Sequence, residues 1–114
     1  MIQVYGIPNC DSVKKIRRWL DAQGIGYAFH DYKKSGVPAD LLRQWVADKG
    51  WEALLNRKGT TWRSLDDATK AGVRDAETAM AVMVTNPSVI KRPVLISGKQ
   101  ILVGPDESTT LDWT

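Results

Sequence analysis

The chain has almost no sulfur chemistry to distribute. Cys10 is its only cysteine, so an internal disulfide is impossible and any disulfide must be shared with another molecule. That excludes a disulfide-stapled secreted scaffold and leads us to expect a reducing, cytoplasmic setting. The one histidine, His30, cannot make a zinc site with a single cysteine. It ends a strand-like run, and an exposed structural role is expected for it. No glycine-rich phosphate loop of recognised spacing occurs, and no apolar run approaches a membrane span. Because no basic-then-apolar leader precedes the first strand pattern, no secretion signal is expected. The net charge is only +3, mild for a nucleic-acid binder and equally suited to a small anionic ligand. The five tryptophans are scattered without basic–aromatic alternation, so core packing explains them better than base stacking, and no direct nucleic-acid binding is expected.

What is present is the composition of an ordinary folded chain. Hydrophobic residues make up 43% and charged residues 25%, which is no disorder signature, and 114 residues can bury a core as one domain, 1–114. Residues 2–5 read as a short buried strand, punctuated by Pro8-Asn9. Over residues 11–23, Val13, Ile16, Trp19 and Leu20 share a helical face; Asn9 or Asp11 is the candidate cap, and Gly24 stands where a terminating glycine belongs. Residues 25–31 alternate, with Ile25, Tyr27 and Phe29 opposite Ala28 and His30, as a second strand does. Strand, helix and strand over about thirty residues make a βαβ unit with parallel strands.

A second helix opens near Pro38 with Leu41, Leu42, Trp45 and Val46 as its stripe, and Gly50 closes it. One further helical turn is expected at residues 51–55, then a polar loop over 56–61 carrying Arg57 and Lys58. Helices follow at 64–71 and 75–85, separated by Gly72. The second of these is rich in Ala and Met and is expected to be well buried. Residues 94–96 and 101–103 flank Ser97-Gly98-Lys99-Gln100, a hairpin signal, and residues 106–113 are expected to form a closing helix. The order predicts an α/β fold of thioredoxin-like plan. Its four-stranded mixed sheet (βαβ plus ββα) has a helical insert, about 38–85, between the two halves.

Chemistry concentrates at Cys10. A cysteine at the start of a helix feels the positive end of the dipole and the free N–H groups there, which favour the nucleophilic thiolate. Its neighbours Pro8, Asn9, Asp11 and Ser12 form a polar turn rather than a core segment, and Lys14 and Arg17 are expected to reach back toward it. The basic block Lys14, Lys15, Arg17 and Arg18 otherwise reads as a solvated helix face. A second candidate is Lys91-Arg92-Pro93, where a proline sits at a strand entrance.

Three segments together resemble the arsenate reductase (ArsC)/Spx-like family: Tyr5-Gly-Ile-Pro-Asn-Cys10 before a basic helix, Leu54-Leu-Asn-Arg57-Lys-Gly, and Lys91-Arg92-Pro93 before the last hairpin. Within it the chain is most similar to the YffB-type branch, for which Gly50-Trp-Glu-Ala-Leu-Leu-Asn56 and Gly59-Thr-Thr-Trp62-Arg63 are also typical. The resemblance runs over nearly the whole chain. It implies a thioredoxin-like fold with a helical insert, a redox cysteine at Cys10 and a cis proline at Pro93. It also implies active-site arginines at Arg57 (or, one position on, Lys58) and at Arg92.

The chain departs from the arsenate reductases at three polar positions. Gly6 stands where they have a histidine, Val13 where they have a hydroxyl residue, and Leu102-Val-Gly104-Pro105 where they have a third arginine. A tetrahedral oxyanion needs converging donors, so arsenate is not the expected substrate. Val13 also removes the second cysteine of the C-x-x-C pair common in Spx regulators. What remains suits a thiol partner carrying carboxylates, glutathione above all, as co-substrate with no bound cofactor. Arg92 and Arg57 are the candidates for its carboxylates, the backbone beside Pro93 for its amide, and Asn9 and Lys14 for further contacts. Arsenate reduction with the same nucleophile, or a non-catalytic Spx-like role binding RNA polymerase or another protein, are the alternatives.

Overall fold

Period-two alternation writes the first strand, β1 (Ile2–Gly6), with Ile2 and Val4 on one face and Gln3 and Tyr5 on the other. The computed structural model describes residues 2–98 and 100–104; the closing helix expected over residues 106–113 lies outside them. Helix α1 (Asp11–Ala22) buries Val13, Ile16 and Leu20 along one stripe. Ile16 and Leu20 meet Ile2 and Val4, and Trp19, Ile25, Tyr27 and Phe29 close around them.

The end of α1 explains where the second strand begins. Gly24 takes a left-handed φ of +68°, and the backbone N–H of Ile25 donates to Leu20 O at 3.0 Å. Ile25 is thus part of the helix closure. It packs on the core but does not join the sheet, and β2 spans Tyr27–Asp31 rather than starting at residue 25.

Strand β2 runs parallel to β1, with Ile2 opposite Tyr27 and Gly6 opposite Asp31. Strand β3 (Val94–Ser97) is antiparallel to β1, with Tyr5 opposite Val94, and β4 (Gln100–Val103) returns antiparallel to β3. The sheet order is β2-β1-β3-β4. This mixed α/β sheet has the thioredoxin-like plan.

The described residues fall into two compact units. One is built from the chain up to Lys34 and again from Arg92 onward; the other is Ser35–Lys91. Within the second unit an antiparallel bridge pairs Leu55 with Ile90, joining its middle to its C-terminal end. A short turn, α2 (Tyr32–Ser35), leads into it. Helix α3 (Ala39–Lys49) buries Leu42, Trp45 and Val46 and stops at Gly50, followed by one turn, α4 (Trp51–Leu54).

Two expectations are corrected here. The polar loop holds over 56–59 but ends at a helical turn, α5 (Thr60–Ser64), and the next helix, α6 (Asp67–Gly72), starts later than residue 64. The break falls at Asp66, whose carboxylate accepts from Thr69 N at 2.8 Å and so caps a new helix. Helix α7 (Ala76–Thr85), entered through a capping box of Asp75 and Thr78, buries only Ala79 and Met83, and Val84 is 44% exposed. Its Ala- and Met-rich composition sets no hydrophobic face, so burial is decided by one stripe and not by the whole helix. A 3-10 turn, Pro87–Val89, completes the unit.

Candidate active site

Cys10 is itself the N-cap residue of α1. Its backbone is extended (φ −138°, ψ 126°) and its carbonyl accepts from Lys14 N at 2.9 Å. This corrects the expectation that Asn9 or Asp11 caps the helix: Asn9 lies one residue outside and is exposed, and Asp11 is already helical. The Cys10 thiol makes no capping hydrogen bond and is partly exposed. An N-cap side chain stands at the mouth of the unpaired helix N–H groups, so the helix presents the sulfur rather than burying it.

Sheet register brings the second segment to the same place. Tyr5 pairs with Val94, so the chain leaving β1 toward Cys10 and the chain entering β3 through Arg92 and Pro93 occupy one end of the sheet. The Arg92–Pro93 peptide bond is cis. Pro93 is buried, and its carbonyl accepts from Gly104 N at 2.8 Å; Arg92 is half-buried.

Gly6 and Val13 face each other below the Cys10 turn. A Cβ on Gly6 would come 2.9 Å from Val13 Cγ2, and Val13 is fully buried. The resemblance to the arsenate reductases implies polar groups at these two positions; here the Val13 side chain packs closely on Gly6.

Two tyrosines to which the sequence assigns no role enter this end of the sheet. Tyr5 stacks on His30, ring centroids 4.4 Å apart. His30 is half-buried, hydrogen-bonded to Gln3, and less exposed than expected. Tyr32 follows β2 directly and is 2% exposed. Burial pushes its phenol well up from the usual tyrosine range; Tyr5 adds to the rise and the Arg92 cation opposes it. Burial raises Tyr5 as well. The available signal was a polar-tipped aromatic at the end of a strand, but only the strand register shows what it neighbours.

The basic face of α1 is less free than it looks in sequence. Arg17 donates from Nε to Tyr27 OH at 3.2 Å, and its guanidinium carbon lies 4.2 Å from the Phe29 ring centroid. It is seated on β2 rather than reaching back toward Cys10. Lys14 is exposed and lines an open hollow of about 600 Å³ with Asp11, Arg17, Arg18, Asp21 and Tyr27.

Arg57 belongs to the Ser35–Lys91 unit. Its guanidinium lies 5.4 Å from the Trp51 ring and 6.0 Å from the Trp62 ring. It lies in a turn, and the segment leading into that turn is pinned by Asn56 N to Val89 O and Lys91 N to Leu54 O, both 2.7 Å. Arg57 and Lys58 both line a hollow of about 420 Å³ with Glu52, Leu55, Asn56 and Lys91. Among the described residues no cluster of His, Cys, Asp and Glu is placed to hold a metal, and no helix is long and apolar enough to cross a membrane.

A sequence model described as the ArsC family matches residues 5–112. The chain belongs to the ArsC family. It is 42% identical over 107 residues to an uncharacterized protein of Haemophilus influenzae, covering 94% of this chain and 93% of that one. A solved structure of a YFFB protein superposes with a TM-score of 0.85 at 48% identity, covering 90% of each chain. A solution structure of an arsenate reductase (ArsC) related protein from Brucella melitensis gives 0.76 at 45% identity, covering 94% of this chain and 88% of that one.

Proposed function

We propose that this protein is a cytoplasmic, glutathione-linked thiol–disulfide reductase whose nucleophile is Cys10. The observation that carries this reading is the placement of a single, partly exposed thiol at the N-cap of α1, on the sheet end that also receives Arg92 and Pro93. Membership of the ArsC family supports a thiol-based reductase.

The chemistry balances as two exchanges. The Cys10 thiolate attacks the glutathione sulfur of a mixed disulfide, forming a Cys10–glutathione disulfide and expelling the substrate thiolate, which takes up a proton. A glutathione thiolate then attacks that bond, releasing oxidised glutathione and restoring the Cys10 thiolate. The substrate gains two electrons, and two glutathione sulfurs supply them. Arg92 is assigned the glutathione carboxylate nearest the thiol. Arg57, or Lys58 one position on, is the candidate for the other carboxylate on the strength of the family resemblance alone. Asn9 and Lys14 contribute exposed polar contacts beside the thiol, and the backbone at Pro93 contributes pairing to the cysteinyl amide.

Arsenate reduction is the weaker reading, because Gly6 and Val13 pack closely, without side-chain donors, at two positions where the family resemblance implies oxyanion donors. The deciding test is steady-state reduction of a glutathionylated peptide by reduced glutathione, with and without Cys10→Ser.

A further inference from the structure

Tyr32 carries a hydroxyl that is fully buried yet has no hydrogen-bond partner among the described residues. An unpaired buried hydroxyl costs stability, and phenylalanine would fill the same space without that cost. The group therefore calls for a role outside the resting fold. Register locates it: Gly6 pairs with Asp31, so Tyr32 stands one residue beyond β2, at the sheet end where Arg92 and Cys10 enter. The Arg92 charge and Tyr5 both act on its phenol. Hydrogen bonds of a reaction site are often open before the ligand binds and close in the complex.

We propose that Tyr32 is a positioning residue for Arg92, its hydroxyl oxygen accepting from the guanidinium once a carboxylate docks beside Cys10. This rests on the reading of Arg92 as the glutathione-binding arginine. It differs from a substrate contact: Tyr32 acts only through Arg92, by setting the direction of the fork.

Two measurements test it. In the exchange assay, Tyr32→Phe should keep the fold, melt no lower than the parent, and raise KM for a glutathionylated peptide about tenfold with a smaller change in kcat. In an Arg92→Ala background the same substitution should add nothing. An equal KM effect with or without Arg92, an unchanged KM, or a Tyr32→Phe chain that fails to fold would each overturn the proposal. The second readout is the Arg92 Nε–Hε NMR signal of the Cys10→Ser protein, free and with millimolar oxidised glutathione. Tyr32→Phe should shift it. If the parent shows no exchange at all, the glutathione reading fails, and this signal alone decides: a shift sustains the positioning role, and identical signals in both states overturn it.

Discussion

Gly6 and Val13 are fitted to one another: a Cβ on Gly6 would lie 2.9 Å from Val13 Cγ2, and Val13 has no exposed surface into which to retreat. The contact sits directly under the turn that carries Cys10. It joins the end of β1 to the first turn of α1, so it helps set where that helix, and with it the thiol, begins.

Gly6→Ala should therefore destabilise by about 1–3 kcal/mol through overpacking. Combined with Val13→Ala, which opens the space, the loss should be smaller than the sum of the two single losses by at least about 0.5 kcal/mol. Urea unfolding of the four proteins closes this cycle. Strict additivity would mean the two side chains do not compete for the same volume.

Arsenate turnover should be weak or absent. The nucleophile is present, but Gly6, Val13 and Gly104 offer no side-chain donor at the positions where the family resemblance implies that the reductases supply one. Arsenite production, followed with glutathione and glutaredoxin supplied and arsenate as sole acceptor, checks this; robust turnover would promote the oxyanion reading.

Arg92→Ala should weaken glutathione-dependent exchange about tenfold to a hundredfold, the worth of one charge-assisted hydrogen bond. The melting temperature should change little, since Arg92 is only half-buried. Exchange assays and thermal melts on the same preparation separate the two effects. Loss of folding, or unaltered exchange, would remove Arg92 from the site.

The buried phenol of Tyr32 also makes a pH prediction. Its folded pKa is raised, chiefly by burial. Its titration therefore leaves stability unchanged below the unfolded tyrosine value of about 10 and lowers it as pH rises above that value, where the unfolded chain ionises and the folded chain does not. Thermal melts from neutral to strongly alkaline pH should fall steeply in the parent and less steeply in Tyr32→Phe. Identical alkaline limbs would show that this phenol does not report on folding.

The sheet and α1 were legible because their patterns are local. Tyr27 and Phe29 alternate against Ala28 and His30, Val13, Ile16 and Leu20 recur at helical spacing, and Gly24 and Gly98 mark turns that need positive φ. Cys10 was legible as the only thiol, at a strand-to-helix junction. Helix α7 was misread because residues such as Ala81, Val82 and Val84 surround it with apolar character, and the sequence holds no sign of which stripe turns inward. The Tyr5–His30 stack, the Tyr32 hydroxyl and the Trp51–Arg57–Trp62 grouping were hidden for another reason. Each depends on strand register or on a turn joining distant residues, and neither is written in local periodicity.

Under the proposed function, oxidation at Cys10 is stored as a mixed disulfide with glutathione, since one thiol cannot form an internal bridge and a reactive thiolate left alone climbs to sulfenic and sulfinic acids. Intact mass spectrometry of the native protein tests it most directly. Oxidised glutathione should add one tripeptide, reduced glutathione should remove it, and Cys10→Ser should abolish the adduct. A Cys10 that stays unmodified in the native protein, and reacts only after the chain is unfolded, would contradict the account and leave a non-catalytic binding role in its place.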